Sequence, residues 1–401
     1  MISVQEATHT ILSNLPTLST EECQLHMAHG RILRQDITAD RDLPPFDRIM
    51  MDGIAINYEA IQSLQCDSRR CEIEGHQPAG SPKMELGNSV SCIEVATGAT
   101  LPVGTDTVIP IEQLTIKGNY ATIHPGSDFQ QWQYIHKQAS DHSEGKILLA
   151  PGKILSPKEI AVAASAGLST ISVSRLPTIA LISTGDELVP IEETPLPHQI
   201  RQSNAHMLAS AIQTQKLGIP SQYHLPDEPD HLLNGITCIL AQYDVLIFSG
   251  GVSKGKKDFL PQTLERLGVQ KKLHWVAQRP GKPLWFGISR ERKPVFGLPG
   301  NPLSTLTCFH RYIAPALKAM AVRSPEQFMH VQLADDFEFQ PPLTCFLPVK
   351  LINQSAETKA IPCPANNSGD YSGILETSGF VEIPQDVTNA VQGTWYPFYP
   401  W

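Results

Sequence analysis

From about residue 176 to residue 325 the sequence alternates short apolar strands with helical segments, and this alternation constrains the fold more than any other feature. The runs ALIS and VLIF are apolar throughout and lack the in-and-out alternation of a strand with one solvated face. Such runs are typical of parallel strands that helices cover on both faces. We therefore predict a central, doubly wound α/β domain within a multidomain α/β protein.

The segments on either side of this domain have different patterns. A capping box formed by Ser3 and Glu6 predicts one helix, and Ser156, Pro157 and Glu159 predict another. Between them the helical period fades into short apolar alternations, and the alternating run VQLADDFEF opens the last stretch. We predict a helical N-terminal domain (1–43 plus 137–175), a β-rich inserted domain (44–136), the α/β domain (176–325) and a C-terminal β barrel (326–401).

Bulk composition excludes several classes of protein. The 401 residues are 41% apolar and 18% charged, which is the balance of a folded chain with more than one core. The chain has no apolar run of membrane-spanning length and no signal-peptide pattern. The net charge of −9 argues against nucleic-acid binding, and the scattered cysteines form no CxxC pair. We expect a cytoplasmic protein that binds neither nucleic acid nor membrane.

The loops that follow the predicted strands are the first place to look for a site, because ligands bind at the carboxyl ends of parallel strands. STGDEL places Asp186 and Glu187 side by side at such an end, where a hard cation could take carboxylate oxygens. Two acids in the first turn of a helix would give the same pattern. At this point both interpretations stay open.

Two further loops indicate a phosphate-bearing ligand. In SGGVSKGKKD, Gly250 and Gly251 let backbone amides approach an anion. In LPGNPLS, Gly300 permits a tight turn, Asn301 is a predicted N-cap and Pro302 takes the first helical position. A helix N-terminus contributes only about 0.3 to 1 kcal/mol to the binding of an anion, so cationic side chains are needed as well. Candidates stand in the SKGKKD and QRPGKP segments: Lys254, Lys256, Lys257, Arg279 and Lys282.

The SGGVSKGKKD loop also admits two rival interpretations. It nearly fits a P-loop, but Lys257 stands where the magnesium-binding Ser or Thr is required. GVSKG fits the nucleophile elbow of hydrolases, with Ser253 as nucleophile. That alternative requires an acid and then a histidine downstream, where Asp258 is too close in sequence and His310 lies in a predicted helix.

Seven motifs occur together and in a fixed order: LPPFDRIMMDGIA, ATGATLPVGTDTVIPIE, STGDEL, SGGVSKGKKD, RPGKP, LPGNP and NNSGD. In this order they resemble the molybdopterin molybdenumtransferases (MoeA proteins) and the E domain of gephyrin. The resemblance implies an elongated homodimer whose cleft lies between the nucleotide-fold domain of one subunit and the N-terminal half of the other. It also implies a reaction of adenylated molybdopterin with molybdate that uses Mg²⁺, releases AMP and depends on an adenylyltransferase partner for substrate.

The resemblance also assigns roles to individual residues by matching position. The catalytic group comprises the carboxylate of MDG, three acids of the nucleotide-fold domain and one lysine: Asp52, Glu187, Asp227, Asp258 and Lys282. The implied substrate contacts come from the ATGA, SGG, RPGKP and LPGNP segments: Thr97, Gly250, Gly251, Ser253, Arg279, Pro299, Gly300, Asn301 and Pro302. The implied Mg²⁺ ligands are Asp186, Glu187 and Asp258.

Two segments depart from the family pattern. Ile49, Met50 and Met51 stand where a small Ser-Ala pair usually precedes MDG. The usual Arg, Gly and Glu before the next Asp appear as His136, Ala139 and Ser140. These departures leave open a divergent paralogue with weak activity or a different pterin ligand. A gephyrin-like scaffold is a further alternative to the enzyme, because it has the same fold.

Overall fold

The structure is a computed structural model that describes residues 1–64, 69–252, 259–325, 329–354, 357–365, 367–370 and 372–401. The chain divides into two compact units. The larger unit comprises residues 1–34, 151–156 and 170–401, and the smaller unit comprises residues 35–150 and 157–169. The boundaries of the four sequence domains stay predictions. No helix among the described residues is long and apolar enough to span a membrane.

The larger unit contains the predicted α/β sheet. Its six strands are, in spatial order, Ile219–Leu225, Thr178–Thr184, Val245–Ser249, Pro294–Leu298, Trp285–Ile288 and Gln270–His274. The first four pair in parallel, and Trp285–Ile288 runs antiparallel to both of its neighbours, Pro294–Leu298 and Gln270–His274. Trp285–Ile288 and Pro294–Leu298 are joined by a short turn, which suits an antiparallel pair, because a parallel pair needs a crossover of a dozen residues or more.

Two apolar clusters confirm that the sheet is covered on both faces. Ile179 and Ile247 pack into one cluster with the helices of that face, while Ile182 and Phe248 pack into the other. The predicted capping box is present, since Ser3 N donates to Glu6 Oε2 (2.7 Å) and Glu6 N donates to Ser3 Oγ (3.1 Å). The described helical segments of the larger unit are Val4–Leu12, Leu25–Met27 (3₁₀), Asn204–Thr214, Pro229–Gln242, Leu260–Arg266, Pro302–Cys308, Phe309–Ile313 (π), Ala314–Met320 and Ser372–Leu375.

The predicted C-terminal barrel is confirmed. Five strands close on one another in the order Thr344–Gln354, Glu357–Pro362, His330–Leu333, Trp395–Pro400 and Gly379–Ile383, and the last pairs with the first. The short strand Gln278–Arg279 extends this sheet by pairing in parallel with Thr344 and Cys345. The larger unit also has three two-stranded pairs: Thr20–Gln24 with Thr170–Ser174, Leu188–Val189 with Ile200–Arg201, and Phe337–Glu338 with Asn389–Ala390.

The smaller unit is rich in β-structure, as its short alternating runs predict. Its main sheet has the order Thr107–Pro110, Gly53–Ile56, Cys92–Val95, Arg70–Gln77, Tyr120–Ile123 and Leu114–Lys117. Two short pairs accompany it, Arg48–Ile49 with Ile135–His136 and Ile37–Thr38 with Ile147–Leu149. Its described helical segments are Tyr58–Gln62, Ile111–Gln113 (3₁₀) and Pro157–Ser165.

Candidate functional site

Acidic residues from two neighbouring strands meet at the carboxyl edge of the α/β sheet. Asp186 follows the strand Thr178–Thr184, and its Oδ1 accepts a hydrogen bond of 3.2 Å from the backbone N–H of Asp227. The Glu187 carboxylate folds over Gly185, where an added Cβ would lie 2.6 Å from Glu187 Oε2. The described residues contain no preformed group of three metal-ligating side chains. Asp258, the third implied ligand, lies outside the described residues.

Gly250 and Gly251 pack against the end of the neighbouring strand so closely that only glycine fits. A Cβ on Gly250 would lie 2.8 Å from the Thr184 carbonyl oxygen, and one on Gly251 would lie 2.9 Å from Thr184 Oγ1. Their φ angles of +102° and +70° also favour glycine. This part of the loop therefore has the close backbone packing expected of a phosphate-binding turn. The rest of the motif, including Ser253 and Lys254, Lys256 and Lys257, lies outside the described residues.

The LPGNP loop differs from its prediction in one respect. Asn301 takes the N-cap position and Pro302 opens the helix, but the Asn301 side chain caps no backbone N–H. Its Nδ2 donates instead to Ser368 Oγ of the NNSGD motif, at 2.6 Å. The predicted N-cap position is therefore confirmed, while the Asn301 side chain takes a partner 67 residues away in the sequence. The contact brings two of the seven motifs together.

Asn204, which has no role in the sequence-based prediction, connects two of the ligand loops. Its Nδ2 donates to the Gly300 carbonyl (2.7 Å) and to Ser249 Oγ (2.9 Å). Since Gly300 O can only accept, the amide nitrogen must face it, and this fixes the orientation of the amide. A polar residue directly after Ser203, at the start of a predicted helix, is the sequence signal that could have identified it.

A cavity of 750 Å³ lies between the α/β domain and the barrel, within the larger unit. Arg279 and Lys282 are exposed side chains of its lining, and Pro299 and Asn301 border it from the LPGNP loop. The barrel side contributes a mainly apolar wall together with Glu338 and Gln340; its apolar members include Phe337, Phe339 and Leu343. Two cations and an apolar wall in one cavity suit an anionic ligand that also carries a ring system.

In the smaller unit the structure brings together Asp52 and Thr97, to which the resemblance assigns a catalytic role and a substrate contact. Asp52 Oδ1 accepts hydrogen bonds from the backbone N–H (2.6 Å) and the hydroxyl (2.8 Å) of Thr97. These bonds, the backbone one first, hold the pKa of the exposed Asp52 carboxyl below its usual value. Asp52 is therefore a fixed carboxylate with one oxygen left for another partner.

The residues that depart from the family pattern have definite structural positions. Ile49 is buried in the strand that pairs with Ile135–His136, whereas Met50 is exposed. His136 Nδ1 lies 3.0 Å from Arg48 Nη2, and its Nε2 lies 3.0 Å from Asp141 Oδ1. Because the guanidinium can only donate, Nδ1 accepts and Nε2 carries the proton. The ring thus bridges an arginine and an aspartate.

Ala139 adopts a backbone conformation that normally requires glycine. Its φ is +61°, in the left-handed region, at the position where the family usually has glycine. The alanine therefore holds a left-handed backbone conformation at a cost in strain.

Three family profiles together cover almost the whole chain. "MoeA N-terminal region (domain I and II)" matches residues 2–167, "Probable molybdopterin binding domain" matches residues 180–319, and "MoeA C-terminal region (domain IV)" matches residues 330–401. The order of the matches agrees with the order of the β-rich region, the α/β sheet and the closed barrel described above.

Relatives and solved structures agree with these profiles. The molybdopterin molybdenumtransferase of Synechocystis is 38% identical and covers 100% of both chains, and that of Synechococcus elongatus is 32% identical and covers 96% of this chain and 94% of its own. Two structures of a molybdopterin biosynthesis MoeA protein from Pyrococcus horikoshii superimpose with TM-scores of 0.83 and 0.85, at 30% and 25% identity. They cover 100% of this chain, and 99% and 100% of their own chains.

Fold and comparisons together define the class: a multidomain α/β transferase of molybdenum cofactor biosynthesis. The chain belongs to the MoeA family of molybdopterin molybdenumtransferases.

Proposed function

We propose that this chain inserts molybdenum from molybdate into adenylated molybdopterin and releases AMP. The observation that carries the proposal is the pair of cations, Arg279 and Lys282, in the wall of the 750 Å³ cavity. Molybdate and a phosphoanhydride are both oxyanions, and charge-assisted hydrogen bonds from these side chains suit them. The apolar wall of the barrel offers a surface for the ring of the ligand. In this proposal Pro299 and Asn301 shape the oxyanion end of the cavity.

We further propose that the reaction uses Mg²⁺ at the acidic edge of the sheet. Asp186 and Glu187 supply hard carboxylate oxygens there, and Asp227 lies beside Asp186. This donor chemistry fits Mg²⁺, which is usually held by one or two carboxylates and completes its shell with water and phosphate oxygens. When bound, the ion would neutralise negative charge on the phosphates. The implied third ligand, Asp258, belongs to the same proposal.

A homodimer is also part of the proposal. The resemblance implies that Asp52 and Thr97 of one subunit serve the α/β loops of the other. The fixed Asp52 carboxylate supports a functional role, because Thr97 uses only one of its two oxygens. The expected source of substrate is an adenylyltransferase, since the substrate is an adenylylated pterin.

The experiment that tests this function is incubation with adenylated molybdopterin and Mg²⁺, with and without molybdate, while AMP is followed. Release that depends on molybdate supports the enzyme. Tight binding of the adenylated pterin without AMP release would support the scaffold alternative. AMP release at an equal rate without molybdate would favour a hydrolase. The position of His310, the candidate histidine of that hypothesis, argues against it, because His310 lies in the core against Phe309 and Trp401, where burial lowers its pKa to about 4.

A further inference from the structure

A buried hydrogen-bond chain leads from a helix of the α/β domain to the RPGKP loop. It begins in the π-helical segment Phe309–Ile313, which contains the buried Tyr312. The Tyr312 hydroxyl donates to Oε1 of Gln278, a fully buried residue. Nε2 of Gln278 donates in turn to the carbonyl oxygen of Gly281, at 3.1 Å. The chain therefore ends inside the loop that carries the two cations of the cavity.

Donor and acceptor roles along this chain can be assigned in only one way. The Gly281 carbonyl can only accept, so the amide nitrogen of Gln278 must face it and the amide oxygen must face Tyr312. Burial raises the pKa of Tyr312 well above its usual value, so the phenol keeps its proton and donates. A buried network with one consistent set of roles favours a single conformation.

The loop packs tightly against this network. Gly281 has a φ of +86°, and an added Cβ would lie 2.4 Å from Cys308 Sγ and 2.7 Å from Gln278 Nε2. The backbone N–H of Val276 donates to the Lys282 carbonyl at 3.0 Å, which closes the base of the turn. A shift of the Gln278 amide would therefore move the backbone of the turn itself.

The cations depend on that backbone for their position. Arg279 and Lys282 are exposed, and neither forms an ion pair with another residue of the described ranges. Gln278 directly precedes Arg279, and Gly281 directly precedes Lys282. The two ends of the Gln278 hydrogen bond thus adjoin the two cations.

We infer that Gln278 and Tyr312 are positioning residues, which hold the RPGKP turn so that Arg279 and Lys282 converge on an oxyanion in the cavity. The inference deepens the proposed function and rests on it. The sequence alone does not predict this role, because Gln278 and Tyr312 lie 34 positions apart and come into contact only in the folded chain, where Tyr312 belongs to the π-helical segment.

The test compares Tyr312→Phe with a matched control, Tyr399→Phe. Tyr399 is also buried, and its hydroxyl donates to Glu382 Oε2 at 3.0 Å, so each variant removes one buried phenol hydroxyl. We expect Tyr312→Phe to raise the KM for molybdate in the AMP-release assay about 3- to 10-fold, because partial loss of one charge-assisted contact has that size. Tyr399→Phe should change this KM less than about 2-fold, since its acceptor Glu382 is not part of the chain from Tyr312 to Gly281.

Gln278→Met keeps the length and volume of the side chain but removes both amide atoms. It should raise the KM for molybdate at least as much as Tyr312→Phe does. The double variant should be no worse than Gln278→Met alone, because both changes interrupt one chain. Thermal unfolding of all variants separates stability from positioning, since a loss of folded enzyme lowers the apparent kcat and leaves KM unchanged.

Lys282→Ala distinguishes failure of this inference from failure of the proposed function. If Lys282→Ala raises the KM for molybdate while Tyr312→Phe behaves like Tyr399→Phe, the positioning role is wrong and the site stands. If Lys282→Ala leaves that KM unchanged, the cavity is not the oxyanion site, and the inference is overturned with it. Calorimetric titration with molybdate alone provides the same comparison without turnover.

Discussion

Replacement of Lys282 by alanine is the perturbation whose size follows most directly from the structure. The ammonium is exposed in the cavity wall, so its removal should cost the free protein little stability. Facing an oxyanion at about 4 Å in an effective dielectric of ~20, it would contribute up to roughly 4 kcal/mol, and a charge-assisted hydrogen bond contributes about 1.5 to 3. We therefore expect Lys282→Ala to lose about 2 to 4 kcal/mol of interaction with the oxyanion, which lowers the rate of AMP release or the affinity roughly 30- to 1000-fold.

The assay is AMP release at saturating Mg²⁺. Lys282→Arg should recover only part of the activity, because a planar guanidinium does not occupy the place of a compact ammonium. Lys271→Ala, an exposed lysine on the strand Gln270–His274 that does not line the cavity, is the control and should stay within about 2-fold of wild type. A near-normal Lys282→Ala beside an inactive Ser253→Ala would refute the oxyanion site and revive the nucleophile-elbow hypothesis.

Mixed dimers of Asp52→Asn and Glu187→Gln subunits should regain about a quarter to a half of the activity, since one of the two shared sites stays intact, and verified heterodimers without recovery would exclude a shared site. Calorimetry should show weak Mg²⁺ binding to the free protein and tighter binding with nucleotide, whereas equal affinities would contradict the role of substrate oxygens as ligands. Asp244→Asn should destabilise the protein by about 2 kcal/mol at neutral pH, because the carboxylate accepts two bonds from Arg175 and two from Thr178. Burial raises the pKa of Asp244, but these hydrogen bonds outweigh burial and lower the pKa below 3.8. In thermal unfolding, the stability difference between wild type and Asp244→Asn should therefore hold above pH 3.8 and shrink as the pH falls further. A difference that persists in acid would refute this prediction.

The parts of the fold that the sequence predicts are those with local signals. The capping box of Ser3 and Glu6 needs only four consecutive residues, and the uninterrupted apolar run ALIS predicts that its strand is buried on both faces. The parallel order of the first four strands follows from the alternation with helices. The antiparallel pairing of Trp285–Ile288 depends instead on the length of a turn, which strand pattern alone does not indicate.

The parts of the site that the sequence does not predict depend on distant contacts. Asn301 takes the predicted N-cap position, but its side chain donates a hydrogen bond to Ser368 instead of capping the helix. Gln278 lies one residue before a predicted cation, but its role depends on Tyr312 and therefore on the π-helical segment. Motif order can indicate which loops form the site, whereas the residues that hold those loops become visible only after the chain has packed.

Molybdenum content of the product tests the central claim most directly. After anaerobic incubation with adenylated molybdopterin, Mg²⁺ and molybdate, molybdenum bound to the released pterin is quantified beside the AMP formed. We predict about one molybdenum per AMP, as the proposed stoichiometry requires, with both signals lowered together in Lys282→Ala. AMP released in full while the pterin stays free of molybdenum would contradict the account.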